Sequence, residues 1–146
     1  YRQGDTRYTG AEALLDLGLH PNLWVNLGMD FVDAQLKVSN TPLPRIPPLR
    51  GRLGVEARWK GLAVKPELVL AAGQHQIFST ETRTPGYTVA NLGASYTSAR
   101  QHFVQVFSVQ AFNLGDRLYR NHLSFIKDRA PEIGRGVRFS YTLRFF

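Results

Sequence analysis

Side chains in this chain alternate with a period of two along most of its length, and few features leave a polypeptide so little choice of fold. In "RLGVEARW" Leu53, Val55, Ala57 and Trp59 fall on one side, with Arg52, Gly54, Glu56 and Arg58 on the other. A helix would scatter these residues around its circumference, whereas an extended strand segregates them. The pattern recurs about seven times, in strands of roughly ten residues. The first runs from about Tyr8 to Leu19, with Ala11, Ala13, Leu15, Leu17 and Leu19 opposed to Gly10, Glu12, Asp16 and Gly18. After "HPN" the second begins at Leu23; Val25, Leu27, Met29 and Phe31 oppose Asn26, Gly28 and Asp30, and phase is lost near Val32.

The third strand is "RLGVEARW", and only Lys60 and Gly61 separate it from the fourth, a spacing that predicts a tight hairpin. In the fourth, Val64, Leu68, Leu70 and Ala72 face one way and Lys65 and Glu67 the other, with Pro66 an awkward residue near its start. The fifth covers about Tyr87 to Tyr96. The sixth, about His102 to Asn113, changes phase near Phe107 and Ser108, which predicts a bulge there. In the last, from Gly136, Val137, Phe139, Tyr141, Leu143 and Phe145 oppose Arg138, Ser140, Thr142 and Arg144. The fold class expected is therefore all-β, with antiparallel up-and-down hairpins.

Connections alternate in length. "HPN", "KG" and "TSARQ" are short, whereas "SNTPLPRIPPL", "STETRTPG" and the stretch from about Leu114 to Arg135 are long. Four prolines keep the first of these out of any strand or helix. Such an array carries tight turns at one end and large loops at the other, as transmembrane β-barrels do. Mid-strand charges such as Glu12, Asp16, Asp30, Arg52, Glu56 and Arg58 suit either a wet barrel lumen or the solvated face of a soluble sandwich. Trp59, Tyr87, Tyr96, Tyr141 and the terminal phenylalanines fall near strand ends, where aromatic girdles sit at bilayer interfaces. These positions favour the membrane barrel, and the soluble antiparallel domain stands as the alternative.

Composition narrows the rest only slightly. At 146 residues the chain suits one domain. Its 18 Lys+Arg against 11 Asp+Glu leave a net charge of +7, compatible with nucleic acid, an anionic surface or an anionic ligand. Zero cysteines exclude disulfides and thiolate metal sites. No run approaches the ~18 apolar residues of a membrane helix, and "YRQGDTRYTG" lacks the basic end and apolar stretch of a signal peptide. A membrane would thus be crossed by strands. Motifs of nucleophilic, zinc-protease and phosphate-loop chemistry are absent, and His20, His75, His102 and His122 lack ligand spacing. The expectation is a protein that is not an enzyme and holds no cofactor.

Two segments, Asn113 to His122 and Ala130 to Gly136, with weaker stretches elsewhere, then resemble one family: the C-terminal part of the β-barrel of TonB-dependent outer-membrane receptors. "NLGDRLYRNH", Asn113 to His122, is similar to the segment before the last long loop of those receptors, and "APEIGRG", Ala130 to Gly136, to the opening of their final strand. Weaker likenesses are "TGAE", "LPRIPP" and "PGYTVANLGASY", in the same order along the chain. The resemblance covers essentially residues 1–146, and it implies that the plug domain lies elsewhere and that the seven strands are part of a plugged barrel of about 22. It implies the outer membrane of a Gram-negative bacterium, with outer-membrane lipid, the plug, the TonB system and the barrel-assembly machinery as partners and no nucleic acid. The function implied is active uptake of a scarce nutrient, an iron chelate (siderophore) or another metal species.

The resemblance also suggests roles. Phe139, Tyr141, Leu143, Phe145 and Phe146 would form the assembly signal, although Phe146 is one step out of phase with the apolar face. Ligand-contact candidates in the loops are Arg45, His75, Arg83, His122, Lys127 and Asp128, each of which has an ordinary reading as a solvated loop residue. Arg52, Glu56, Arg58, Arg138 and Arg144 would face the lumen, contacting the plug or pairing with charges on neighbouring strands. Asn113 and Asp116 would hold the turn after the sixth strand through side-chain to backbone bonds. Two alternatives remain: a complete eight-stranded barrel with an extra strand in "YRQGDTRYT", and a soluble basic β-domain binding nucleic acid, which the segregation of aromatics from arginines in "VRFSYTLRF" disfavours.

Overall fold

The computed structural model describes residues 4–146. Seven strands follow one another: β1 (Thr6–His20), β2 (Leu23–Leu36), β3 (Arg50–Trp59), β4 (Leu62–Ala71), β5 (Tyr87–Ala99), β6 (Phe103–Phe112) and β7 (Gly136–Phe145). Each pairs antiparallel with its predecessor, so spatial order equals chain order and the sheet is open. No eighth strand precedes β1 among the described residues; Thr6 to Thr9 belong to β1, and Tyr1 to Gln3 of the proposed extra strand lie outside them.

Register carries the alternation of each strand into its neighbours. Leu15, Leu27, Leu53, Leu68 and Ala90 form one transverse row, each opposite the next across four ladders. Three same-face rows nearer the tight turns, Trp59 opposes Leu62, which opposes Tyr96, then Phe107, then Tyr141. Every large residue in these rows is at least partly exposed, because the sheet is a single layer and none of the described residues packs on this face. Few apolar residues are buried among those described: Ala34, Ala71 and Val89 of the strands and Pro48 of the first long loop. A leucine or phenylalanine left in water forgoes about 1.5–3 kcal/mol of transfer free energy. Folding therefore gains nothing from these rows in water, and a contiguous apolar face of this extent marks a surface that an apolar medium covers.

The expected bulge in β6 is not there. β6 keeps one register with β5 from Val104 to Ala111 and with β7 from Phe103 to Phe112, straight through Phe107 and Ser108. The apparent change of phase arises because Val104 and Val106 lie on the polar face, opposite Thr97, Thr142 and Arg144, while Phe107 and Val109 lie on the apolar one. Tyr87 also departs from expectation. It shares the polar face with Ala71 and packs on Tyr119 of the last loop, centroids 4.4 Å apart, so it is no part of an outward girdle.

Local chemistry accounts for the turns. Lys60 and Gly61 both have positive φ, +45° and +84°, the geometry of a two-residue hairpin whose twist matches its strands. A Cβ on Gly61 would lie 2.5 Å from the Thr97 carbonyl oxygen, so glycine is required there on two counts. Pro66 sits in an interior strand at a small cost. Pairing of β4 with β5 runs through it, whereas pairing with β3 lapses beside it and resumes in the same register. At the far end, Phe146 has left the strand, yet its N–H still donates to the His102 carbonyl at 3.2 Å while Phe145 packs on Phe103.

Candidate functional site

The three long connections, residues 37–49, 72–86 and 113–135, emerge at the same end of the sheet and are tied together by side chains. At the centre is Glu81. Its Oε1 accepts the Arg45 N–H at 2.9 Å and its Oε2 the Phe78 N–H at 3.4 Å, which fixes the carboxylate between the first two loops. The same Oε1 is 3.9 Å from both His122 Nε2 and Lys127 Nζ of the third loop. Thr84 closes the group, its hydroxyl 3.0 Å from His122 Nδ1. Thr84, His122 and Lys127 are each more than nine-tenths buried.

Hydrogen-bond arithmetic assigns the imidazole tautomer. Lys127 Nζ is 3.3 Å from His122 Nδ1, and an ammonium group only donates. Nδ1 is therefore an acceptor and the ring proton sits on Nε2. That Nε2–H is buried without a hydrogen-bond partner among the described residues and faces the Glu81 carboxylate. Burial, then the Lys127 charge, push the His122 pKa below the usual histidine value, with Glu81 acting weakly in the opposite sense. His122 is thus neutral at neutral pH, and one carboxylate balances one ammonium.

Further contacts stiffen the loops around this group. Gln74 donates to the Ile46 carbonyl at 2.9 Å, the Arg45 guanidinium lies 3.2 Å from the centroid of the Phe125 ring, and the Thr82 hydroxyl donates to Asp128. Asn113, fully buried, accepts from the Arg117 N–H at 2.8 Å and donates to the Arg117 and Ile133 carbonyls. Asp116 accepts from the Arg135 N–H at 2.9 Å. Both residues thus hold the base of the third loop through side-chain to backbone bonds, as their positions in the sequence suggested.

Four of the six loop candidates, Arg45, His122, Lys127 and Asp128, come together here. His122 and Lys127 are interior, however, and not on the solvated loop surface expected of them. Arg83 is exposed on the second loop, and His75 lines an open cleft of about 320 Å³ beside Pro47. Glu81 and Thr84, which join the loops, went unnoticed; a lone acid inside "STETRTPG" carries no periodic or spacing signal, and only the fold brings it to His122. No group of three His, Asp or Glu side chains among the described residues is arranged to hold a metal ion.

On the polar face, Arg52 pairs with Glu67 at 3.6 Å across the β3–β4 ladder. Glu56 takes Lys65 at 2.7 Å and also Arg58, whose guanidinium lies 4.6 Å from the Trp24 ring. Asp30 pairs with Arg50 at 2.6 Å. Arg138 and Arg144 stand on the edge strand β7, with no ion-pair partner among the described residues.

An open sheet with an apolar outer face, charges on the other face and long loops at one end is what a segment of a large membrane barrel presents. Residues 1–114 match the family model of the TonB dependent receptor-like β-barrel. This chain belongs to the TonB-dependent receptor β-barrel family. Its place is therefore the outer membrane of a Gram-negative bacterium. Proteins of this family are receptors and transporters, not enzymes. Among solved structures the fold resembles that of "Copper transporter OprC", with a TM-score of 0.80, 22% sequence identity and 97% of this chain covered. The match takes in 24% of that transporter, so the chain spans about a quarter of the length of the relative it resembles.

Proposed function

We propose that this chain is the C-terminal wall and part of the extracellular mouth of a TonB-dependent outer-membrane transporter that takes up a scarce metal species. The single observation that carries the reading is the convergence of the three long loops on one buried Glu81–Thr84–His122–Lys127 group above a sheet whose outer face is apolar. Such an arrangement supports a rigid mouth on a lipid-embedded wall. Cargo would meet the exposed outer positions Arg83, His75 and the Arg45–Phe125 pair, while His122 and Lys127 hold the loops behind them. Family membership supports a plug inside the barrel, with energy supplied through the TonB system. The charged face of β3 and β4 would line the lumen against that plug.

The likeness to a copper transporter supports a metal cargo in general. The terminal strand, with Phe139, Tyr141, Leu143 and Phe145 on one face, would act as the signal read by the barrel-assembly machinery. The test is deletion of the whole gene in its source organism, followed by elemental analysis of cells grown with iron, copper or zinc limiting. The expected result is loss of accumulation of one metal, reproduced by a protonophore that collapses the energy supply. Unchanged accumulation of all three would remove the metal-uptake reading.

A further inference from the structure

We infer that the outward face of β4 to β7 carries a binding groove for an anionic glycerophospholipid. The row Leu62, Tyr96, Phe107 and Tyr141 raises a wall of large side chains near the tight turns. In the next row toward the loops, Val64, Ala94 and Val109 are small, and Phe139 rises again at its end. The step in size leaves an open, apolar groove of about 590 Å³ between Leu62, Ala94, Tyr96, Phe107, Val109 and Tyr141. Its volume lies within the ~300–1,000 Å³ of ordinary small-molecule sites. Lipid tails are the medium on this face, and a recess floored by alanine between aromatic walls selects one extended tail over bulk packing.

What covers the groove is indicated by the charge beside it. Thr97 N–H donates to the Gly61 carbonyl at 2.8 Å, so the Lys60–Gly61 turn lies against β5 one residue beyond Tyr96. The Tyr96 ring lies 3.5 Å from the position a Cβ would take on Gly61. The Lys60 ammonium stands 5.0 Å from the centroid of the Trp59 ring, and Trp59 opposes Leu62 at the end of the aromatic row. Ser98 and Gln105, opposite each other one row nearer the turns, add hydroxyl and amide groups on the same outward side. A cation and two hydrogen-bonding side chains thus stand at head-group level beneath an apolar groove. That arrangement matches a phosphodiester head with its acyl chain pointing toward the loops.

The experiment uses the full-length receptor that contains this segment, purified in mild detergent and exposed to equal amounts of phosphatidylglycerol and phosphatidylcholine with identical acyl chains. Native mass spectrometry counts the lipids retained. Phosphatidylglycerol should be retained about fivefold over phosphatidylcholine, the effect of one lysine near an anionic head group. Lys60→Gln should equalise the two lipids, and Ala94→Trp, which fills the groove, should reduce both. Ala90→Trp is outward on the same strand but outside the groove, and should leave retention unchanged, with folding of all variants checked by heat-modifiable gel migration. Equal retention of the two lipids by the parent protein would overturn the inference. So would an Ala94→Trp protein that retains lipid like the parent, or an Ala90→Trp protein that loses it equally.

Discussion

His122 Nδ1 lies 3.3 Å from the ammonium of Lys127, five residues further along the same loop, so the imidazole must stay neutral for the two to pair. Protonation would place a second cation against Lys127 and withdraw the acceptor that Thr84 and Lys127 share. The mouth therefore contains a contact that acid breaks. Because the folded pKa of His122 is depressed, the unfolded loop binds the extra proton more readily. The stability this contact adds is fully present above the unfolded value of about 6.5 and is lost as pH falls through the lower folded value. Once the base-catalysed intrinsic rate is divided out, hydrogen-exchange protection of residues 78–85 and 119–130 in the full-length protein should fall between pH 7.5 and pH 5, with no such change in His122→Gln.

Removing the carboxylate should be worse than removing the imidazole. Glu81→Ala strands the buried Lys127 ammonium and leaves the Arg45 and Phe78 N–H groups without their acceptor. Leaving the buried Lys127 ammonium without its counter-charge costs about 1–3 kcal/mol or more, whereas the exposed Arg45 N–H can turn to water. Limited proteolysis of the loops should quicken, while the thermal unfolding of the barrel moves little. If the barrel itself melted earlier to the same extent, the clasp would be part of the wall's stability and not a local device.

Charge on the outer rows separates lipid from water as the surrounding medium. Leu27→Arg, in the row shared with Leu15, Leu53 and Leu68, should destabilise the full barrel in vesicles by about 2–4 kcal/mol, whereas Asn26→Arg on the adjacent, polar side should cost far less. Urea titration of the two variants measures the difference. Equal costs would mean that the face assignment is wrong.

Gly61→Val should be the most damaging single change in a turn. It forces a β-branched residue into φ +84° and presses a Cβ against the Thr97 carbonyl. Lys60→Asn, at φ +45°, should be neutral or mildly stabilising, since asparagine tolerates the left-handed region. The fraction of folded barrel recovered after refolding into detergent checks both.

The wall of this molecule was largely legible from its sequence and the mouth was not. Seven strands, their faces and the Lys60–Gly61 hairpin follow from period-two patterning and turn chemistry, which act over a few residues. The pattern misled at Phe107, because polar-face positions tolerate valine as readily as threonine, so Val104 and Val106 imitated a change of phase. Tyr87 misled because its position near a strand end gave no indication of Tyr119 above it. Glu81 and His122 lie 41 residues apart in a chain whose loops have no periodicity. Their meeting depends on three hairpins holding the loops side by side, a long-range fact that no local rule contains.

Pro66 lies in a strand, yet the ladder resumes beyond it in the same register, and β5, β6 and β7 keep theirs without interruption. A wall so registered is intolerant of insertions and deletions. One residue gained or lost within a strand would turn the rest of that strand inside out, placing arginine in lipid and leucine in the lumen. Changes of length can accumulate only in the connections, and the tight turns have little room for them. The three long loops can thus take changes of length that the strands cannot, so the surface that meets the outside world can be rewritten without disturbing the register of the wall that carries it.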